Sequence, residues 1–176
     1  IQSPNLERFE SILKKAEFSK TKEKQLQNVY ASRFMRYEKD FASVDILIDA
    51  LASRSTDASF GYDLLLNSTT KRKIIGIEKQ VEALVPSKEM LIVMKIHSGR
   101  LTDFRDIVAI AKDTNLEEIR KFLFIGDLKV IQTNLDKLGK IVKDKGFIDS
   151  FKGVFIEKKF DVDVNQVEKI AMLTKS

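Results

Sequence analysis

No cysteine occurs in the chain, which excludes disulfides and thiolate metal sites. Histidine occurs once, so a multi-histidine metal site cannot form within one copy. Only two prolines and seven glycines are spread over 176 residues, which argues against long disordered linkers. Long apolar runs are missing too. The longest, 90–94, is far too short to cross a bilayer, so no membrane partner is expected. No signal peptide is visible, and a cytoplasmic protein is expected. A glycine-rich phosphate loop and a nucleophile elbow are equally absent, as are an internal repeat and a low-complexity tract.

What is present suits one compact domain, or a domain with an appendage. The chain is 43% hydrophobic and 32% charged, enough for a sizeable core under a charged surface. Its 31 basic and 26 acidic residues leave a net charge of +5. That excess favours phosphate-bearing partners only modestly, because the two signs are interspersed. Lys137, Lys140, Lys143 and Lys145 form the main basic run, which reads as a solvated helix face before it reads as a nucleic-acid surface.

Periodicity divides the chain. Ser3 and Pro4 resemble a helix cap and first turn, and Leu6, Phe9, Ile12 and Leu13 recur at helical spacing, predicting a helix over 4–17. The polar stretch 19–25 reads as a loop. A strand over 28–37 and a return strand over 44–49 predict an antiparallel hairpin. The return strand, Val44-Asp45-Ile46-Leu47-Ile48-Asp49, is the stretch around which the rest is organised. Alternation puts Val44, Ile46 and Ile48 on one face and Asp45, Leu47 and Asp49 on the other. A polar stretch follows to Ser59, then a short helix over 60–66 and two short strands over 71–77 and 80–85. Beyond Pro86 the signals turn helical: 88–97 capped by Ser87 and ended by Gly99, then a helix capped by Thr102 and running to 112. Helices over 115–124 and 127–145, an ambiguous stretch over 147–159, and a last helix from Asn165 complete the chain. The fold class expected is α+β: a small mixed sheet flanked by helices, with a helical C-terminal region.

Three features carry candidate chemistry. Asp45 places a carboxylate in an apolar strand, and it is either paired with a cation or turned toward a cleft. Asp49 is expected in solvent where the strand leaves the sheet. Lys95 lies within an otherwise apolar helix, where an ammonium either snorkels or salt-bridges, or binds phosphate. Finally, Arg100 precedes Asp103 and Asp106, which share a helix face. A dipole-complementing role in the first turn explains one of those carboxylates but not the whole set. His97 reads as a helix-end residue, not a ligand.

The segment Met90-Leu-Ile-Val-Met-Lys-Ile-His-Ser-Gly-Arg-Leu-Thr-Asp-Phe-Arg-Asp-Ile107, with its lead-in Val85-Pro86-Ser87, resembles the nucleotidyltransferase superfamily. In AbiEii-type toxins and related uncharacterised nucleotidyltransferases, a helix with a central lysine precedes a "small-Gly-Arg-x-x-Asp-x-x-Asp-aliphatic" run. Lys95, Gly99, Arg100, Asp103 and Asp106 match it. The 13–18 segment and Val44-Asp45-Ile46-Leu47 resemble the family's first helix and its third aspartate strand.

The resemblance implies a nucleotidyltransferase-like α+β domain over 1–113, N-terminally incomplete, and a helical region over 114–176. It implies magnesium-dependent transfer of a nucleotide from a nucleoside triphosphate to an RNA or protein hydroxyl, and a toxin–antitoxin setting. In that mechanism Asp45 ligates a metal ion and Lys95 holds phosphate oxygens. Asp103 and Asp106 orient Lys95 or Arg100, or touch the acceptor. The catalytic set is then Asp45, Lys95 and Asp106, with Arg100 and Asp103 binding substrate. The family's Gly-Ser and Asp-x-Asp motif is absent, with Ile1-Gln2 in the place of that strand's tail. The 176 residues alone are therefore expected to be inactive. The competing expectation is a non-catalytic α+β module that binds a protein or nucleic-acid partner.

Overall fold

A computed structural model describes residues 1–25, 33–147 and 162–174. The chain is α+β, as expected. Its contacts gather it into two compact units: Ile1–Ala52 with Ser59–Asn67, and Ser53–Ala58 with Ser68–Ser176.

The first unit starts with a short 3-10 turn, Ser3–Asn5, that leads into α1 (Leu6–Lys15). Three strands follow, β1 (Ser19–Gln25), β2 (Arg33–Lys39) and β3 (Ala42–Ile48), antiparallel in the order β1-β2-β3. The hairpin turns at Asp40, whose left-handed backbone (φ 50°) a short polar side chain tolerates. Alternation puts Met35, Tyr37, Ile46 and Ile48 on the buried face, packed with Ile1, Leu6, Leu13, Phe18 and Val44. Tyr37 reaches out of this core to donate its hydroxyl to Glu10 Oε1 at 2.6 Å.

The second unit is mostly helical. It contains α3 (Lys88–Ser98), α4 (Leu101–Ile110), α5 (Leu116–Leu123), α6 (Leu128–Ile141) and α7 (Val164–Ala171). Its centre is α3, which packs on α4, α5 and α6, while α6 packs on α7. Ile92, Val93 and Ile96 of α3, Ile107 of α4, Leu123 of α5 and Leu135 of α6 are fully buried. The compact units therefore do not divide near residue 113, because α3 and α4 pack with the helices that follow. A hairpin of β6 (Thr69–Ile75) and β7 (Gln80–Pro86) precedes α3. The described residues also include β4 (Ala50–Ser53), β5 (Ala58–Gly61) and α2 (Tyr62–Asn67).

Several expectations are corrected. The segment Ser19–Gln25 is an edge strand, not a loop: all seven residues are exposed, and main-chain pairing with β2 holds it. The polar stretch that follows Leu51 contains the pairing of β4 with β5. Among the described residues there are separate small sheets instead of one mixed sheet, and β6 pairs with β7. The cap of α4 is Arg100, not Thr102. Asp49 is not simply solvated: its Oδ1 accepts the Ser3 N–H at 2.7 Å and its Oδ2 the Ser3 hydroxyl. Residues 28–32 of the expected strand and 148–159 of the ambiguous stretch lie outside the described residues. Among the described residues, no helix is long and apolar enough to cross a membrane.

Candidate functional site at the α3–α4 junction

Local sequence builds a tight corner between α3 and α4. Ser87 Oγ accepts the Met90 N–H at 3.2 Å and starts α3. Gly99 ends it in the left-handed region (φ 66°), its N–H bonded to Lys95 O. A side chain there is excluded on two grounds. The backbone conformation disfavours it, and an added Cβ would lie 2.5–2.7 Å from the Asn134 side chain. Asn134, from α6, is buried and donates Nδ2–H to Ile96 O at 2.9 Å, satisfying a carbonyl at the end of α3.

That corner brings four of the five predicted site residues together. Lys95 Nζ lies 3.0 Å from Asp103 Oδ1 and 2.5 Å from Asp106 Oδ2. Arg100 grips Asp103 with two bonds, Nε to Oδ2 at 2.7 Å and Nη2 to Oδ1 at 3.1 Å. The Arg100 main-chain N–H also donates to Asp103 Oδ2 at 3.3 Å, the first-turn role expected of one carboxylate. Asp106 lies beyond the first turn, so the helix dipole does not account for it. The Asp103 side chain is buried (1% exposed), whereas Asp106 and Arg100 are 54% and 71% exposed and Lys95 29%.

Burial alone would push the Asp103 carboxyl up, but hydrogen bonds from Arg100, Ser98 and Lys95 hold it well below the ordinary range. Lys95 is pushed up, first by its bond to Asp106, against burial, and further by Asp103. Both groups stay charged at neutral pH. The two cations and two carboxylates cancel, yet unevenly in space. Asp103 is the fixed anchor, while the guanidinium of Arg100 keeps N–H donors facing water. Such a fork, held from behind by a carboxylate, suits an anionic oxygen arriving from solvent.

Behind the corner, His97 is 1% exposed. Its Nε2 lies 3.0 Å from Leu123 O and its Nδ1 2.6 Å from Thr56 Oγ1. A carbonyl can only accept, so Nε2 carries the proton and Nδ1 accepts from Thr56. His97 is therefore at the helix end, as expected, and is buried there. Asn134 escaped notice in the sequence, although a polar residue between Ile131 and Leu135 on the apolar stripe of α6 was the available signal.

The fifth residue, Asp45, belongs to the first unit. Arg36, its cross-strand neighbour, binds both carboxylate oxygens, Nε to Oδ1 at 2.7 Å and Nη2 to Oδ2 at 2.8 Å. The cation-paired alternative for Asp45 is thus the one realised. Among the described residues no group of three or more His, Cys, Asp or Glu could hold a metal ion. The residues described do not by themselves fit a magnesium site.

Comparison with protein-family models, with curated proteins and with solved structures finds no match.

Proposed function

We propose that this chain is the body of a nucleotidyltransferase-like protein. In the full-length molecule a nucleotide passes, with magnesium, from a nucleoside triphosphate to an RNA or protein hydroxyl. The part assigned to these residues is to bind and orient phosphate. Arg100, held by Asp103, offers its outward donors to phosphate oxygens. Lys95 exchanges the exposed Asp106 for a phosphate oxygen while keeping Asp103. The freed Asp106 then faces the acceptor. The single observation that supports this is the Lys95–Asp103–Arg100 chain of charge-assisted bonds, with a buried carboxylate holding one partly exposed and one exposed cation. Solvated surface pairs gain little from such order, so a cluster built around a buried anchor calls for a use.

A second reading has its own support. Every charge in the cluster already has an internal partner, and Asp45 has Arg36. A non-catalytic module that binds a protein or nucleic-acid partner would look the same at rest. Radiolabelled nucleoside triphosphates, incubated with full-length protein and a mixed RNA and protein extract, separate the two. Transfer of label, lost in Asp45→Ala, favours the enzyme. Asp45 and Arg36 form an exposed pair, so that substitution leaves the fold intact. No transfer of any of the four common nucleotides favours the module.

A further inference from the structure

The β6–β7 hairpin leaves its apolar side chains in water. Ile74, Ile75, Ile77, Val81 and Leu84 are 48% to 106% exposed. A two-stranded ribbon is marginal in water unless something covers it. Its two outer edges are unlike. β6 carries Lys71, Arg72 and Lys73 in a row, the kind of cationic run that keeps an edge from pairing. β7, Gln-Val-Glu-Ala-Leu-Val-Pro, carries one charge, Glu82, and Lys71 Nζ already meets it at 2.5 Å. Among the described residues no further strand pairs with either edge.

The phase of the ladder fixes what the β7 edge offers. Gly76 donates its N–H to Lys79 O at the turn, and Ser87 donates to Ser68 O at the base. The register between them is unbroken, so Val81, Ala83 and Val85 aim their main-chain groups at β6. Gln80, Glu82 and Leu84 turn theirs outward. The side chains of Val81, Ala83 and Val85 share one face, with Ile74 opposite Val81. The pattern Val-x-Ala-x-Val reads the same in both directions about Ala83.

We propose that the β7 edge pairs with the β7 edge of a second copy of this chain, antiparallel, about a two-fold axis at Ala83. Glu82 of each copy then exchanges both main-chain bonds with Leu84 of the other. Gln80 donates to the Pro86 carbonyl, and Pro86 has no donor to leave unmet. The two Ala83 residues meet as a pair without main-chain bonds, the closer kind, where a methyl group fits. Val81 of each copy lies beside Val85 of the other, which joins the two apolar faces. No like charges stand directly opposite, because Glu82 faces Leu84. The product is a four-stranded sheet in the order β6-β7-β7-β6. Its outer edges are the lysine-guarded ones, so pairing stops at two copies. The interface does not depend on whether the α3–α4 corner binds phosphate.

Sedimentation velocity over a concentration series tests it, and the native protein shows monomer and dimer in exchange. Ala83→Lys and Ala83→Glu each set like charges face to face and raise the dissociation constant about fivefold or more. An equimolar mixture of the two variants dimerises again, because lysine then faces glutamate. Because the chain has no cysteine, Ala83→Cys puts one thiol per copy at the axis. Mild oxidation links that variant about tenfold faster than Thr70→Cys, which lies on the same face one strand away. A protein that stays monomeric up to about 1 mM, whether or not it binds anionic lipid vesicles, overturns the proposal. So does a dimer that Ala83→Lys leaves unchanged, a mixture of the charged variants that stays monomeric, or equal linking of the two cysteine variants.

Discussion

Acidification should unfold the helical unit through one side chain, His97. The ring is sealed from water, and burial depresses its pKa from 6.5 to about 4, against a smaller opposing effect of the Leu123 carbonyl. The unfolded chain takes up a proton near 6.5, while the folded chain resists until about 4. Between those values the unfolded state binds more protons, so stability rises with pH. The contribution is fully present above pH 6.5 and is lost as pH falls toward 4. A depression of this size is worth about 3 kcal/mol, a large share of a small domain's stability. The single histidine makes the assay direct, because its Cε1–Hε1 correlation is one peak. That peak should stay at the neutral shift down to pH 5. Urea midpoints over the same range should fall in the native chain. In His97→Phe the histidine part of that slope vanishes, at the cost of the His97 bonds to the Thr56 hydroxyl and the Leu123 carbonyl at neutral pH. A histidine titrating at 6 or above, or equal slopes for the two proteins, would refute the reasoning.

Gly99→Ala combines a left-handed backbone with a clash on Asn134 and should cost more than about 2 kcal/mol by denaturant unfolding. Asp103→Asn should cost about 2 kcal/mol, since it leaves Arg100 and Lys95 facing a neutral amide, whereas Asp106→Asn at an exposed pair should cost under about 1. Tyr37→Phe should cost about 1 kcal/mol through the lost bond to Glu10, and the Tyr37 phenol, pushed up to about 12 mainly by burial, should give an ultraviolet absorbance step near that pH which Tyr37→Phe lacks.

The features legible in advance share a physical reason. The β2–β3 hairpin, the caps at Ser87 and Gly99 and the buried α3 all rest on local spacing or local backbone demands. The cluster at Lys95, Arg100, Asp103 and Asp106 was legible for the same reason. A helix, a glycine corner and a second helix fix its geometry within a dozen residues. β1 was missed because Ser-Lys-Thr-Lys-Glu-Lys-Gln has no apolar residue to betray a face, and only partner-strand pairing makes it a strand. The separation of the β6–β7 hairpin from the β1-β2-β3 sheet among the described residues, and the latch of Asn134 on Ile96 O, depend on contacts between distant segments. Spacing carries no signal for those. Asp45 was placed on the correct face, but its Arg36 partner lies one strand away, where alternation cannot choose between a paired carboxylate and a ligand.

Calorimetric titration of each magnesium nucleoside triphosphate into the full-length protein tests the phosphate-binding role of the α3–α4 corner most directly. At least one nucleotide should bind, and Lys95→Met, which keeps the stem and leaves Asp103 paired with Arg100, should weaken that binding at least tenfold with little change in unfolding midpoint. Binding of equal strength in Lys95→Met, or none of any nucleotide to the native protein, would contradict it.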